Sequence, residues 1–291
     1  MLDRIAERMV PVILPAPLVS TRWLAERITE VTVLDASWYL PGTPRDPKAE
    51  YAAAHIPGAF FFDIDAVCDH RTALPHMLPS AEEFAAAAGA LGIGDGKPVV
   101  VYDGAGIFSA PRVWWMLKAM GHEEVAVLDG GLPKWRRENR PLAAGTATPT
   151  PARFTARPVP ALVRSIDDVR KNLETKAAQV LDARGAPRFT ASAPEPRPGV
   201  RGGHIPGSRN VHYARLLTEG GTYKTAEELR ALFASEHIDL AAPIVTSCGT
   251  GVTAAVLMLG LVSAGARNVA LYDGSWTEWG SRADTPVETG P

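Results

Sequence analysis

The chain contains few cysteines and no large excess of charge of either sign. Two cysteines occur among 291 residues, without a Cys-x-x-Cys motif or a cysteine–histidine cluster at metal-ligand spacing. This excludes a disulfide framework and a thiolate zinc site, and it favours a reducing compartment. The net charge of −2 and the isoelectric point near 6.4 give no general attraction to nucleic acid or to an acidic membrane surface. We therefore expect small molecules or proteins as partners.

Long apolar segments are also missing. No stretch approaches 18 apolar residues, which argues against a transmembrane helix. Residues 1–11 carry acidic side chains early and lack an uninterrupted apolar core, so they predict no signal peptide, and we expect a cytoplasmic location. A hydrophobic content of 46% is nevertheless enough to build a core in each of two domains.

Two halves of the sequence repeat the same motifs in the same order. His55-Ile-Pro-Gly58 recurs as His204-Ile-Pro-Gly207, and residues near 18–140 correspond to residues near 162–284. Because the matches are ordered along the chain, chance is a poor explanation. We therefore interpret the chain as a duplicated domain.

Each half has the pattern of a parallel α/β domain. Short β-branched runs alternate with helical segments, and matching capping boxes begin at Ser80 and Thr225. Such alternation predicts a mostly parallel sheet with helices on both faces. We predict domains at residues 1–140 and 162–291, joined by a Pro/Thr/Ala-rich linker at residues 141–161.

One cysteine lies where a strand pattern meets a helical pattern. Cys248 follows the β-branched run 243–247 and precedes Gly249, Gly251 and an apolar helical stretch. Amide N–H groups and the positive end of a helix lower a thiol pKa and stabilise a bound anion. Cysteine is often a packing residue, but packing requires neither the glycines nor the neighbouring hydroxyls. We interpret Cys248 as a nucleophile and Cys68, which lacks this setting, as structural.

The first half carries a different residue at the equivalent position. Asp103 aligns with Cys248, and a carboxylate cannot carry sulfur. The first domain is therefore expected to be catalytically silent and to form one wall of an interdomain cleft. His55 and His204 occur in both halves, including the silent one, so we interpret them as residues that hold a turn.

The sequence resembles the tandem rhodanese family of sulfurtransferases. The runs 51–62 and 269–279 match the two signatures of that family position by position, and the resemblance covers nearly the whole chain. The loop 248–253 resembles that of members that use 3-mercaptopyruvate. Thiosulfate-preferring members usually place basic residues just after the cysteine, whereas here the next two residues are neutral. The resemblance thus implies two rhodanese-like domains, with the catalytic one second.

The resemblance also implies individual roles. Arg188 and Arg197 would hold the keto-acid end of the substrate, since guanidinium forks suit carboxylate and carbonyl oxygens. Thr250, His76 and Asp63 would form a proton relay of hydroxyl, imidazole and carboxylate. The other loop residues would bind the substrate around its sulfur: Gly249, Gly251, Val252 and Thr253.

These roles imply transfer of the sulfur of 3-mercaptopyruvate through a persulfide on Cys248, with release of pyruvate. The acceptor would be a small thiol, a thioredoxin-like protein or cyanide, and no metal or organic cofactor is required. The first alternative is thiosulfate as the donor. A cysteine phosphatase fits less well, because its loop needs an arginine where Ala254 stands. A non-catalytic sulfur carrier is the third alternative, against which the intact cysteine loop argues.

Overall fold

Each half of the chain forms one parallel sheet. The computed structural model describes residues 13–291. The N-terminal segment for which no signal peptide is predicted, residues 1–11, lies outside this range. The elements of the first half are, in chain order, β1 (Leu18–Val19), α1 (Thr21–Arg27), β2 (Thr32–Asp35), α2 (Pro47–Ala53), β3 (Ala59–Phe61), α3 (Ala81–Ala90), β4 (Val99–Tyr102), α4 (Ala110–Ala119), β5 (Val125–Leu128) and α5 (Gly131–Arg137). Those of the second half are β6 (Val163–Arg164), α6 (Ile166–Thr175), β7 (Gln179–Asp182), α7 (Ala186–Phe189), β8 (Arg209–Asn210), α8 (Ala226–Ser235), β9 (Ile244–Ser247), α9 (Val252–Ala264), β10 (Val269–Tyr272) and α10 (Ser275–Ser281), with short 3-10 helices at Pro160–Leu162 and Tyr213–Leu216.

The two sheets have the same topology. Their strand orders are β1-β5-β4-β2-β3 and β6-β10-β9-β7-β8, and every pairing is parallel. The central strands are almost wholly buried, as β-branched runs covered by helices on both faces require. The predicted α/β fold of two tandem domains with parallel sheets is confirmed.

The predicted linker, residues 141–161, runs along the first domain. Ala143 pairs with His55 in an antiparallel bridge. Further on, the amide of Ala152 donates to the Gly89 carbonyl at 2.9 Å. These backbone bonds hold this part of the linker against the first domain. The domain boundaries at residues 140 and 162 stay a prediction.

Two helices bury almost all of their surfaces because they lie between the domains. Helix α9 is apolar on nearly every side and helix α4 leaves only Lys118 partly accessible, and the two pack against each other. A helix that is apolar all round is typical of such an interior position. Among residues 13–291, none of the helices is both long and apolar enough to cross a membrane.

A reciprocal pair of contacts joins the domains. Asp129, which follows β5, accepts the amide N–H of Tyr223 in the second domain at 2.9 Å. Asp273, which follows β10, accepts the amide N–H of Leu78 in the first domain at 2.7 Å. Tyr223 and Leu78 each lie two residues before a capping box, at Thr225 and Ser80. The repeat therefore extends to the interface, where each half uses the same carboxylate to hold the same loop of the other.

Candidate active site

Cys248 lies at the bottom of a cavity between the domains. It follows β9 and precedes α9, so it stands at the carboxyl end of a parallel sheet, where ligands of α/β proteins commonly bind. The residue is 2% exposed and lines a cavity of about 220 Å³. Its amide N–H donates to Ser275 Oγ at 3.2 Å, and its carbonyl accepts from the amide of Trp276 at 2.9 Å. These bonds fix the cysteine loop against α10.

The first domain supplies an aromatic wall opposite the cysteine loop. Trp38 and Phe108 stack with ring centroids 6.2 Å apart, and Phe108 meets Tyr213 of the second domain edge-on at 5.7 Å. All three line the cavity. Other lining residues come from the cysteine loop and from the arginine-bearing segments of the second domain: Gly249, Thr250, Val252, Thr253, Arg184, Arg188 and Arg197. Both domains therefore build the predicted cleft.

A chain of polar side chains joins Thr250 to solvent. His76 Nδ1 lies 3.0 Å from Thr250 Oγ1, across the domain interface, and His76 Nε2 lies 2.9 Å from Asp65 Oδ1. Thr250 and His76 are buried, whereas the Asp65 side chain is 61% exposed. The hydrogen bond from His76 lowers the pKa of Asp65. Trp38 Nε1 donates to the second oxygen of Asp65 at 3.0 Å, which fixes the carboxylate.

The third member predicted for this chain, Asp63, is not in contact with His76. Its Oδ1 instead accepts the amide N–H groups of Asp65 and Ala66, and its Oδ2 pairs with Lys48 Nζ at 2.6 Å. Asp63 therefore closes the turn that presents Asp65 to the imidazole. The sequence Asp-Ile-Asp offers two carboxylates two residues apart, and spacing alone does not distinguish the turn residue from the imidazole partner.

The backbone of His76 is strained. Its φ is +63°, in the left-handed region that β-carbon-bearing residues avoid. The equivalent position of the second half, four residues before the capping box, is Gly221, with φ +76°. Glycine adopts this conformation without steric cost. The second half therefore has glycine where the first half places an imidazole in a strained backbone conformation.

Arg112 joins the His76 loop to the cysteine loop. Its Nη2 donates to Asp273 Oδ1 at 2.7 Å and also to the carbonyl of His76, and its guanidinium stacks on Trp115, 4.3 Å from the ring centroid. Its Nη1 lies so close to Gly251 that a Cβ there would approach it to 2.5 Å. Gly251 thus lies behind the cavity and makes room for Arg112. The sequence interpretation missed Arg112, although an arginine inside an apolar helix was a usable signal.

The two predicted substrate-binding arginines both line the cavity, but they differ in whether a carboxylate contacts them. Arg188 donates through Nε and Nη2 to Glu195, at 3.1 and 2.5 Å. Arg197 has no carboxylate within salt-bridge distance among residues 13–291. Burial lowers the pKa of Arg197, and the charge of Arg188 lowers it further. A Cβ at Gly249 would lie 3.1 Å from Arg188 Nη2, so only glycine leaves this guanidinium undisturbed.

The equivalent loop of the first domain surrounds a carboxyl group of its own. Asp103 Oδ1 accepts two backbone N–H groups and Oδ2 accepts three, all at 2.8–2.9 Å, from Ala105, Gly106, Phe108, Ser109 and Ala110. Backbone amides that converge in this way form an anion-binding nest. Cys248 aligns with Asp103 in the repeat, and α9 begins four residues after Cys248 whereas α4 begins seven residues after Asp103, so the two loops share their start but not their full path.

Cys68, His55 and His204 each contact a backbone carbonyl. Cys68 donates to the Asp65 carbonyl at 3.1 Å, and burial raises the pKa of its thiol, which disfavours a thiolate. His55 Nδ1 donates to the Tyr51 carbonyl at 2.8 Å, and His204 Nδ1 donates to that of Phe189 at 2.9 Å. Across the described part of the chain, no three His, Cys, Asp or Glu residues are grouped as metal ligands.

The chain consists of two similar α/β domains, and one buried cysteine, Cys248, lines the cleft between them. Both halves match the family model of the rhodanese-like domain, at residues 20–138 and 165–282. The chain belongs to the rhodanese family and is a sulfurtransferase, as the resemblance of its motifs implied.

Individual relatives differ in the donor that their names state. The chain is 47% identical to human 3-mercaptopyruvate sulfurtransferase, over 91% of this chain and 92% of the relative. It is 44% identical to bovine thiosulfate sulfurtransferase, over 97% of each. The crystal structure of SseA from Escherichia coli, described with the mechanism of 3-mercaptopyruvate sulfotransferases, superposes with a TM-score of 0.82 at 44% identity, over 90% of this chain and 99% of that one. Overall identity therefore does not choose the donor.

Proposed function

We propose that the sulfur donor is 3-mercaptopyruvate and that Cys248 carries the sulfur as a persulfide. The observation that supports this most strongly is the composition of the cleft. Arg188 and Arg197 face one side of the Cys248 loop, and a hydroxyl–imidazole–carboxylate chain meets the other. A keto acid needs both, because its carboxylate requires a cation and its leaving group requires a proton.

In the first step, the Cys248 thiolate attacks the sulfur of the substrate thiol. A sulfur–sulfur bond forms, the carbon–sulfur bond breaks, and its electron pair passes to carbon 3 of the departing pyruvate enolate. Protonation of that carbon completes pyruvate and leaves the persulfide. Thr250 Oγ1, which contacts His76 Nδ1, would deliver this proton, and Asp65 would connect the imidazole to solvent, as their contacts support.

The persulfide must be stabilised until an acceptor arrives. Five amide N–H groups surround the Asp103 carboxylate in the matching loop, which supports the same use of the amides that follow Cys248. We propose that a small thiol, a thioredoxin-like protein or cyanide then removes the outer sulfur. The cytoplasmic location also stays a prediction.

Thiosulfate is the alternative donor. It releases sulfite, which needs no proton on carbon, so it makes no use of the Thr250–His76–Asp65 chain. It is also a dianion, whereas the residues just after the cysteine, Gly249 and Thr250, add no positive charge. Both features favour the singly charged keto acid.

The proposal is tested by the intact mass of the protein after brief incubation with each donor in the absence of an acceptor. We expect addition of one sulfur atom from 3-mercaptopyruvate, and a kcat/KM for this donor well above that for thiosulfate. A protein that gains sulfur from thiosulfate alone would contradict the proposed donor.

The two neighbouring carboxylates provide a matched pair of relay variants. Asp65→Asn should slow persulfide formation from 3-mercaptopyruvate about 100-fold, the lower end of the range for general acid–base groups, and leave the thiosulfate reaction nearly unchanged. Asp63→Asn keeps an Oδ1 that can accept the amides of Asp65 and Ala66 and removes the ion pair to the exposed Lys48, so it should change the free energy of unfolding by less than about 1 kcal/mol and either rate only slightly. Single-turnover mass measurements with each donor distinguish the two, and a larger loss in Asp63→Asn would restore Asp63 as the relay residue.

A further inference from the structure

Glu195 is a buried carboxylate directly behind the substrate-binding arginines. Its side chain is 4% exposed. One oxygen accepts from Arg184 Nη1 at 2.7 Å and from Arg188 Nε at 3.1 Å, and the other accepts from Arg188 Nη2 at 2.5 Å. Arg184 is bound in turn by Asp182, through three contacts of 2.6–3.1 Å. The sequence interpretation did not assign a role to Glu195.

These contacts determine how much positive charge the cleft presents. Asp182 and Glu195 form contact ion pairs with Arg184 and Arg188. Arg197 has no carboxylate in contact and is attracted by Asp65, whose side chain is mostly exposed, only at longer range, so it is the one cleft guanidinium without a contact partner among residues 13–291. The Nε and one side of Nη2 of Arg188 are occupied by Glu195. What remains for a substrate is the Nη1 side of Arg188 together with Arg197.

One cleft guanidinium without a contact partner matches a monoanion. A dianion in the same place would bring a second negative charge close to the buried carboxylate of Glu195, and the two like charges would repel each other. We propose that Glu195 is a specificity determinant, which selects a singly charged sulfur donor by neutralising one of the cleft arginines. This proposal rests on the proposed function and adds the residue that discriminates between the two donors.

The charge role and the positioning role of Glu195 can be separated by two substitutions. Glu195→Gln keeps the size of the side chain and removes its charge, so the ratio of thiosulfate to 3-mercaptopyruvate kcat/KM should rise by about tenfold or more. Glu195→Asp keeps the charge but shortens its reach to Arg188, so both rates should fall together and the ratio should stay constant. A purely structural role would not change the ratio in either variant.

Persulfide formation is measured by intact mass in single turnovers, which removes any effect of the acceptor. Glu236→Gln is the matched control, because Glu236 pairs with Arg215 at the surface at 2.5 Å and does not line the cavity. It should leave both rates unchanged. Circular dichroism and thermal unfolding establish that each variant is folded before its rates are compared.

Two outcomes would overturn the proposal. A parallel loss of both donors in Glu195→Gln would mean that the residue only holds Arg188, and an equal rise of the ratio in Glu195→Asp would mean that geometry, not charge, selects the donor. Failure of the proposed function is seen separately, in the wild-type protein, as a kcat/KM for thiosulfate above that for 3-mercaptopyruvate. The effect of Glu195 on the donor ratio is thus read independently of which donor the wild type prefers.

Discussion

Cys248→Ser is expected to abolish persulfide formation from 3-mercaptopyruvate and from thiosulfate. A serine hydroxyl remains protonated at neutral pH and neither attacks sulfur nor carries it. The replacement is small, and its oxygen can accept from the loop amides, so the thermal midpoint should move by only a few degrees. Intact mass and thermal unfolding measure the two effects.

Cys68→Ser is the control for this experiment. Cys68 lies against the Asp65 carbonyl and not in the cleft, so its loss should leave persulfide formation intact. If Cys68→Ser were inactive and Cys248→Ser active, the assignment of the nucleophile would be wrong, and with it the roles of every residue around the loop.

Arg112→Met should cost both stability and activity. The substitution leaves the Asp273 carboxylate, only 5% exposed, without its cation, and removes a donor from the His76 carbonyl. Removing one partner of a buried pair typically costs about 3–5 kcal/mol in the free energy of unfolding. The 3-mercaptopyruvate rate should fall as well, because the His76 loop loses its link to the cysteine loop. Denaturant unfolding and single-turnover rates measure these effects.

The double variant Arg112→Met/Asp273→Asn tests the cause. Because it removes both charges, it should be more stable than Arg112→Met alone. Arg215→Met removes a surface arginine and should change the unfolding free energy by no more than about 1 kcal/mol. Equal stability of the single and double variants would show that the ion pair is not what holds the two loops.

The features that depend on local sequence were predictable. The β-branched run before Cys248, the glycines after it and the apolar pattern of α9 together predict a strand, a tight turn and a buried helix, and the structure contains them. The capping boxes at Ser80 and Thr225 form as their spacing predicts. Each depends on residues within a few positions, where periodicity and capping chemistry determine the conformation.

The contacts that assemble the site across the domains were harder to predict. Thr250 and His76 are in contact although they are 174 positions apart in the sequence. The family resemblance predicted that contact, and no pattern in the residues did. The choice between Asp63 and Asp65 depends on which carboxylate closes a turn, which spacing does not reveal. Arg112 and Glu195 were missed because their partners lie on other segments. Such contacts depend on how loops from separate elements pack, and no periodicity encodes that.

The occupied nest around Asp103 makes the two halves of the cleft respond differently to turnover. Its ligand is covalently part of the chain, so its charge and its hydrogen bonds stay the same whether Cys248 is a free thiol or carries sulfur. In the proposed cycle, only the second loop would gain and lose an anion. We therefore expect the wall that bears Trp38 and Phe108 to keep one shape, so that donor and acceptor would meet the same surface at different stages of the reaction.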